Sequence, residues 1–235
     1  MPKTLPDGEG ELKFLDQLAR TTGRRTFLHW SGLTLAVVAL GCSDDDDGGT
    51  GPGTTDVNLG SGDTGVLNYA YALEQLEAAF YTQVVASFYA GATADEQTLL
   101  TDIRNHEVIH RDFLKAGLGA SAIADLTVDF TNVNFADRAS VLGAARTFED
   151  LGVSAYNGAG QLLTTPANLV NAGRIVSVEA RHAAAIRDLL VPNSFAASDV
   201  IDGNGLDVVR SPTEVLPLAD PYITTTINAS GLPTA

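Results

Sequence analysis

Two short patterns, each occurring twice, govern how this chain can fold. Glu74 is followed seven residues later by Tyr81, and Glu149 by Tyr156. Glu107 precedes His110 by three residues, and Glu179 precedes His182 by three. The first pattern returns after 75 residues and the second after 72. Beyond residue 42 the chain holds three histidines and seven glutamates, too few for the recurrence to be a by-product of composition. Residues three apart on a helix share a face, so a glutamate and a histidine at that spacing can reach one point. The order Glu-x6-Tyr, Glu-x-x-His, given twice, reads as an internal duplication of a helix pair. A bundle with a pseudo-twofold axis is its natural product.

The hydrophobic periodicity agrees. Val66, Leu67, Ala70, Leu73, Leu76 and Phe80 recur at three- and four-residue steps from Asp63 onward, as on the buried face of a helix. A break at Gly91 precedes Thr93-Ala94-Asp95-Glu96, a capping-box pattern opening a second helix to about Gly117. Leu126 to Phe135 alternates like an extended crossing. A third helix fits about Ala136 to Leu163. Thr165-Pro166 then sets an N-cap before a first-turn proline for a fourth, ending near Pro192. Five prolines between Pro192 and Pro233, with Gly203 and Gly205, predict an irregular wrap with room for one short helix.

The paired Glu-x-x-His motif is the one used by di-iron carboxylate bundles. The whole pattern resembles the ferritin-like superfamily of bacterioferritin and rubrerythrin type. More closely, Leu67-Asn-Tyr-Ala-Tyr-Ala-Leu-Glu-Gln-Leu-Glu-Ala-Ala-Phe-Tyr81 resembles the bacterial ferritin-like domain family that includes desiccation-related proteins. The resemblance covers about Asp63 to Leu190. It implies an all-α, antiparallel four-helix bundle with a long crossover between helices 2 and 3. It also implies that Glu74, Glu107, His110, Glu149, Glu179 and His182 ligate two iron ions, with a manganese–iron pair as the alternative. Glu107 and Glu179 would bridge the metals, and Glu74 and Glu149 would each cap one. Tyr81 and Tyr156 match the family's tyrosines that hydrogen-bond to ligands. Glu77 shares a face with Glu74 and reads as an extra ligand or a carboxylate bonded to one. The seven-residue step to tyrosine favours Glu74 as the capping residue. His106, about 100° around the helix from Glu107, reads as a surface histidine.

Elementary electrostatics supports a metal. Four inward carboxylates repel one another and lose hydration, at several kcal/mol each when unpaired, and no basic residue stands at a matching inward position. Carboxylate and imidazole without thiolate suit iron or manganese better than structural zinc.

The first sixty residues read as an address. Gly23 to His29, with Arg24 and Arg25 followed by Phe27-Leu28, resembles a twin-arginine export signal. A short apolar run ends in Ala39-Leu40-Gly41-Cys42, which resembles a lipobox with Cys42 as the lipidated residue. Acidic and Gly/Thr/Pro-rich sequence follows to about Gly62, as in a flexible tether. The expected plan is thus a signal over 1–41, a lipidated cysteine and linker over 42–62, a bundle over 63–190 and a wrap over 191–235. This route leads to the periplasmic side of the envelope, with the membrane met through the lipid alone. A net charge of −15 argues against nucleic acid, and one cysteine allows no intramolecular disulfide.

Metal ions, dioxygen or peroxide are the expected partners, with a homodimer as a further reading. Three functions fit: a di-iron oxidoreductase of ferroxidase type, an envelope stress protein that sequesters iron, and a module whose metal serves only structure. A lipid tether and the lack of a clear fifth helix argue against a closed storage cage.

Overall fold

The computed structural model describes residues 56–234. Four helices carry the apolar stripes read above: α1 (Gly62–Ala86), α2 (Ala94–Leu118), α3 (Arg138–Gly160) and α4 (Pro166–Leu190). α1 packs on α2 and α3 on α4, each pair joined by a short turn. The two pairs are linked by a long crossover over 119–137, so the architecture is the expected all-α bundle.

Local chemistry fixes the helix ends. At α2, the Thr93 hydroxyl accepts from the Glu96 amide, and the Thr93 amide donates to the Glu96 carboxylate at 2.9 Å. The same carboxylate pairs with Arg138, tying the start of α2 to that of α3. At α3, Asp137 accepts from the Ser140 amide at 2.9 Å. Thr165 was expected to cap α4, but its side chain makes no cap bond. Asp63, in the first turn of α1, accepts instead from the amides of Thr164 and Thr165 and from the Asn168 side chain. A carboxylate offers more acceptor sites than a hydroxyl, so it satisfies two open amides at once.

The crossover is held by polar groups of α1. Buried Asn68 donates to the carbonyls of Leu59 and Ser121 and accepts from the Ile123 amide; Gln75 accepts from the Leu126 amide. Phe130 and Phe135 then pack against Phe80, itself edge-on to Phe148 with centroids 5.0 Å apart.

The tail contains α5 (Pro212–Ala219), which packs on α3. Beyond it, β2 (Ile227–Asn228) pairs in parallel with β1 (Val57–Asn58). Val57 and Leu59 are buried. The flexible linker drawn to residue 62 is thus too long at its C-terminal end. Two apolar side chains and a strand partner from the far terminus hold 57–59 against the bundle. The expected export signal with Arg24 and Arg25, and the expected lipidation site Cys42, lie outside the described residues. No described helix is long and apolar enough to cross a membrane.

Candidate metal centre

Every helix of the bundle sends acidic or imidazole side chains to one point inside it. α1 supplies Glu74 and Glu77, α2 Glu107 and His110, α3 Glu149, and α4 Glu179 and His182. Glu74, Glu107, Glu149 and Glu179 are 0% exposed and Glu77 3%. Five buried carboxylates against two imidazoles cannot be balanced by protein charge alone.

Their arrangement has a twofold logic. Glu107 turns Oε1 to His182 Nδ1 at 2.7 Å and Oε2 to His110 Nδ1 at 3.3 Å. Glu179 does the reverse, with Oε1 2.8 Å from His110 Nδ1 and Oε2 3.9 Å from His182 Nδ1. Each of these two carboxylates therefore spans both histidines. Glu74 stands 3.6 Å from His110 and Glu149 3.6 Å from His182. The tyrosines cross between the halves. Tyr81 of α1 donates to Glu149 of α3 at 2.6 Å, and Tyr156 of α3 donates to Glu74 of α1 at 2.5 Å. This reciprocal exchange explains why the glutamate–tyrosine spacing is duplicated: each tyrosine serves the other half's carboxylate.

Two overlapping groups of ligand atoms result, Glu74, Glu107, His110 and Glu179, and Glu107, Glu149, Glu179 and His182, each lying within 4.8 Å of one another. Among the described residues, Glu74 Oε2, Glu107 Oε1, Glu149 Oε2, both Glu179 oxygens and His182 Nδ1 are buried without an aligned hydrogen-bond partner. Several lie under 3 Å from an oppositely charged atom, yet off the direction a hydrogen bond requires. Lone pairs that converge between residues rather than on them suit a cation. The buried cluster can hold metal ions, and its oxygen–imidazole set fits iron or manganese.

The protonation of the metal-free protein follows from the same crowding. Burial and the neighbouring carboxylates push Glu77 and Glu179 well above the usual carboxylate range. Burial likewise raises Glu149, and lifts Glu74 to about 7 against the pull of nearby His110 and the bond from Tyr156. Glu107 moves down: burial opposes it, but His110 and His182, both close to its oxygens, outweigh that cost. Burial disfavours charge on the imidazoles too, yet the surrounding carboxylates raise His110 strongly and His182 to about 10.

All six residues expected as ligands, and both tyrosines, meet in this cluster. Glu77 joins it, with Oε2 buried and unbonded among the described residues. Its other oxygen occupies a space opened by Gly152, where an added Cβ would lie 2.9 Å from Glu77 Oε1. His106 is exposed, as its surface reading expects, and it also reaches the centre: its ring stacks on His182 at 5.1 Å and 9°, with Nδ1 2.9 Å from His182 Nε2. The angle to Glu107 hid this, whereas the one-turn step from His106 to His110 would have placed both toward α4.

Residues 62–192 match the sequence profile of the ferritin-like domain family. Among curated proteins no sequence match is found. The family match runs from the first residue of α1 to just past the end of α4, taking in every residue of the buried cluster, and the chain belongs to the ferritin-like domain family.

Proposed function

We propose that the cluster holds two metal ions, iron in both positions or a manganese–iron pair, and oxidises Fe(II) or a small substrate with dioxygen or peroxide. The observation that carries this reading is the pair of ligand groups sharing Glu107 and Glu179, each completed by its own glutamate and histidine. Glu107 and Glu179, whose two oxygens face opposite histidines, would be shared by both ions. Glu74 with His110 would complete one position and Glu149 with His182 the other. Iron bound there supplies one-electron redox steps. Tyr81 and Tyr156 hold the outer carboxylates in place, and the helix packing keeps bulk water from the ligands.

Metal-free protein mixed with Fe(II) and then exposed to air tests this directly. Rapid oxidation at two irons per chain, abolished by Glu107→Ala, is expected. Equal, slow oxidation by wild type and variant would sink the enzyme reading. A second reading, an envelope stress or desiccation protein in which metal is sequestered or serves structure, draws support from the same excess of buried carboxylate. It predicts a sharp drop in melting temperature on metal removal, without redox turnover.

We further propose that the protein is exported folded by the twin-arginine route and anchored through Cys42 on the periplasmic side of the envelope. Arg24, Arg25 and the Ala-Leu-Gly-Cys sequence support this. Incorporation of labelled fatty acid into wild type but not Cys42→Ala is the expected result. Labelling of both, or neither, contradicts it.

A further inference from the structure

The duplication is broken at two positions in the centre. Shifting α2 onto α4 by 72 residues puts Val178 at the place of His106, and shifting α1 onto α3 by 75 puts Gly152 at the place of Glu77. Both differences bear on the His182 half of the cluster. His106 Nδ1 lies 2.9 Å from His182 Nε2. One proton serves that pair, and when His182 Nε2 donates it, His182 Nδ1 keeps its lone pair for the centre. The acceptor thus sets the tautomer and the plane of the ring. His110 has no such partner: the equivalent residue on α4 is valine, which accepts nothing, and among the described residues His110 bonds only through Nδ1. Glu77 adds a carboxylate, and its Oε1 shares the Gly152 cradle with Glu179 Oε2, the oxygen turned toward His182.

We propose that the two metal positions are inequivalent, the one beside His182 binding a divalent cation more tightly, and that His106 is the positioning residue responsible. This rests on the dinuclear reading above. An imidazole oriented by an acceptor is a better ligand than a free one, and outer partners of this kind typically change metal affinity by about 10–100-fold. The extra carboxylate acts in the same direction.

The test is a titration of metal-free protein with Co(II), followed by visible absorption. Wild type should fill in two steps at least about tenfold apart. His106→Val, which installs the residue of the other half, should weaken the tighter step by about 10–100-fold and leave the other unmoved. His106→Gln, whose amide oxygen can accept the same proton, should recover much of the loss. Gly152→Ala crowds Glu77 Oε1 and Glu179 Oε2 and should weaken the same step, so the proposal does not hang on one variant. Two equal sites in wild type, or a His106→Val protein in which both steps or neither move, overturn the proposal while leaving the dinuclear centre standing. No uptake of Co(II) at all would overturn the centre itself, and the proposal with it.

Discussion

Tyr81 and Tyr156 show how much of the centre rests on single atoms. Each hydroxyl is buried and gives its one proton to a carboxylate oxygen of the opposite half. Tyr156→Phe leaves Glu74 Oε1 without a partner and should cost the metal-free protein about 1–3 kcal/mol. Denaturant unfolding at fixed pH reads this; a loss near zero would mean that Glu74 finds another donor. The residues most legible in the sequence were those the duplication displays twice: four glutamates, two histidines and two tyrosines. His106 and Glu77 were harder to place because each occurs in one half only. A pattern found by comparing halves is blind to what only one of them contains, and the mate that would expose Glu77 is a glycine, recognised only once Glu77 Oε1 is seen filling its space.

Helix positions were readable because apolar stripes, a capping box and a first-turn proline mark them locally, and the boundaries shift by only a few residues. The pairing of β1 with β2 was not readable. Two-residue strands have no periodicity, and their partners stand at opposite ends of the domain. The tail, which the sequence describes only as proline-rich, is joined to α3 through close backbone contact. The Arg210 amide donates to the Ser154 carbonyl at 3.0 Å, its guanidinium to the Ser154 hydroxyl at 2.8 Å, and its carbonyl fills the place where a Gly158 side chain would stand. A Cβ at 158 would lie 1.7 Å from that oxygen. Gly158→Ala should therefore push the tail off α3 at a cost of at least about 1–3 kcal/mol. Faster proteolysis after residue 191 and a lower melting temperature are the expected readouts. Unchanged cleavage would show that the tail is held elsewhere, for instance by Arg187, whose guanidinium bridges Asp150 and Asp199.

At the scale of the whole domain, the bundle is a container whose interior charge must be neutralised by protons or by metal. Glu74, Glu77, Glu149 and Glu179 all bind protons more tightly folded than unfolded. The stability tied to them is present below the ordinary glutamate value of 4.5 and is lost as pH rises through their folded values. His110 and His182 act in the same sense, from 6.5 upward, reaching about 10 for His182. Within the cluster Glu107 and its neighbour His106 run the other way: Glu107 loses its contribution as pH falls, and His106, lowered by burial and by His182 and His110, disfavours the folded state as pH falls below 6.5. The metal-free protein should thus melt at a lower temperature at about pH 8 than at about pH 5. Metal replaces those protons, so the rise in melting temperature on adding it should be larger at the higher pH. A metal-free protein whose stability climbs over that range would contradict this balance.

Metal content by mass spectrometry, measured on the protein purified from its native cells beside a Glu107→Ala/Glu179→Ala variant, bears most directly on the account. About two irons per chain, or one iron and one manganese, are predicted for wild type and are lost when the shared carboxylates are removed. No stoichiometric metal, or equal metal in both proteins, would contradict the dinuclear centre and leave a ferritin-like bundle whose buried carboxylates are neutralised by protons alone.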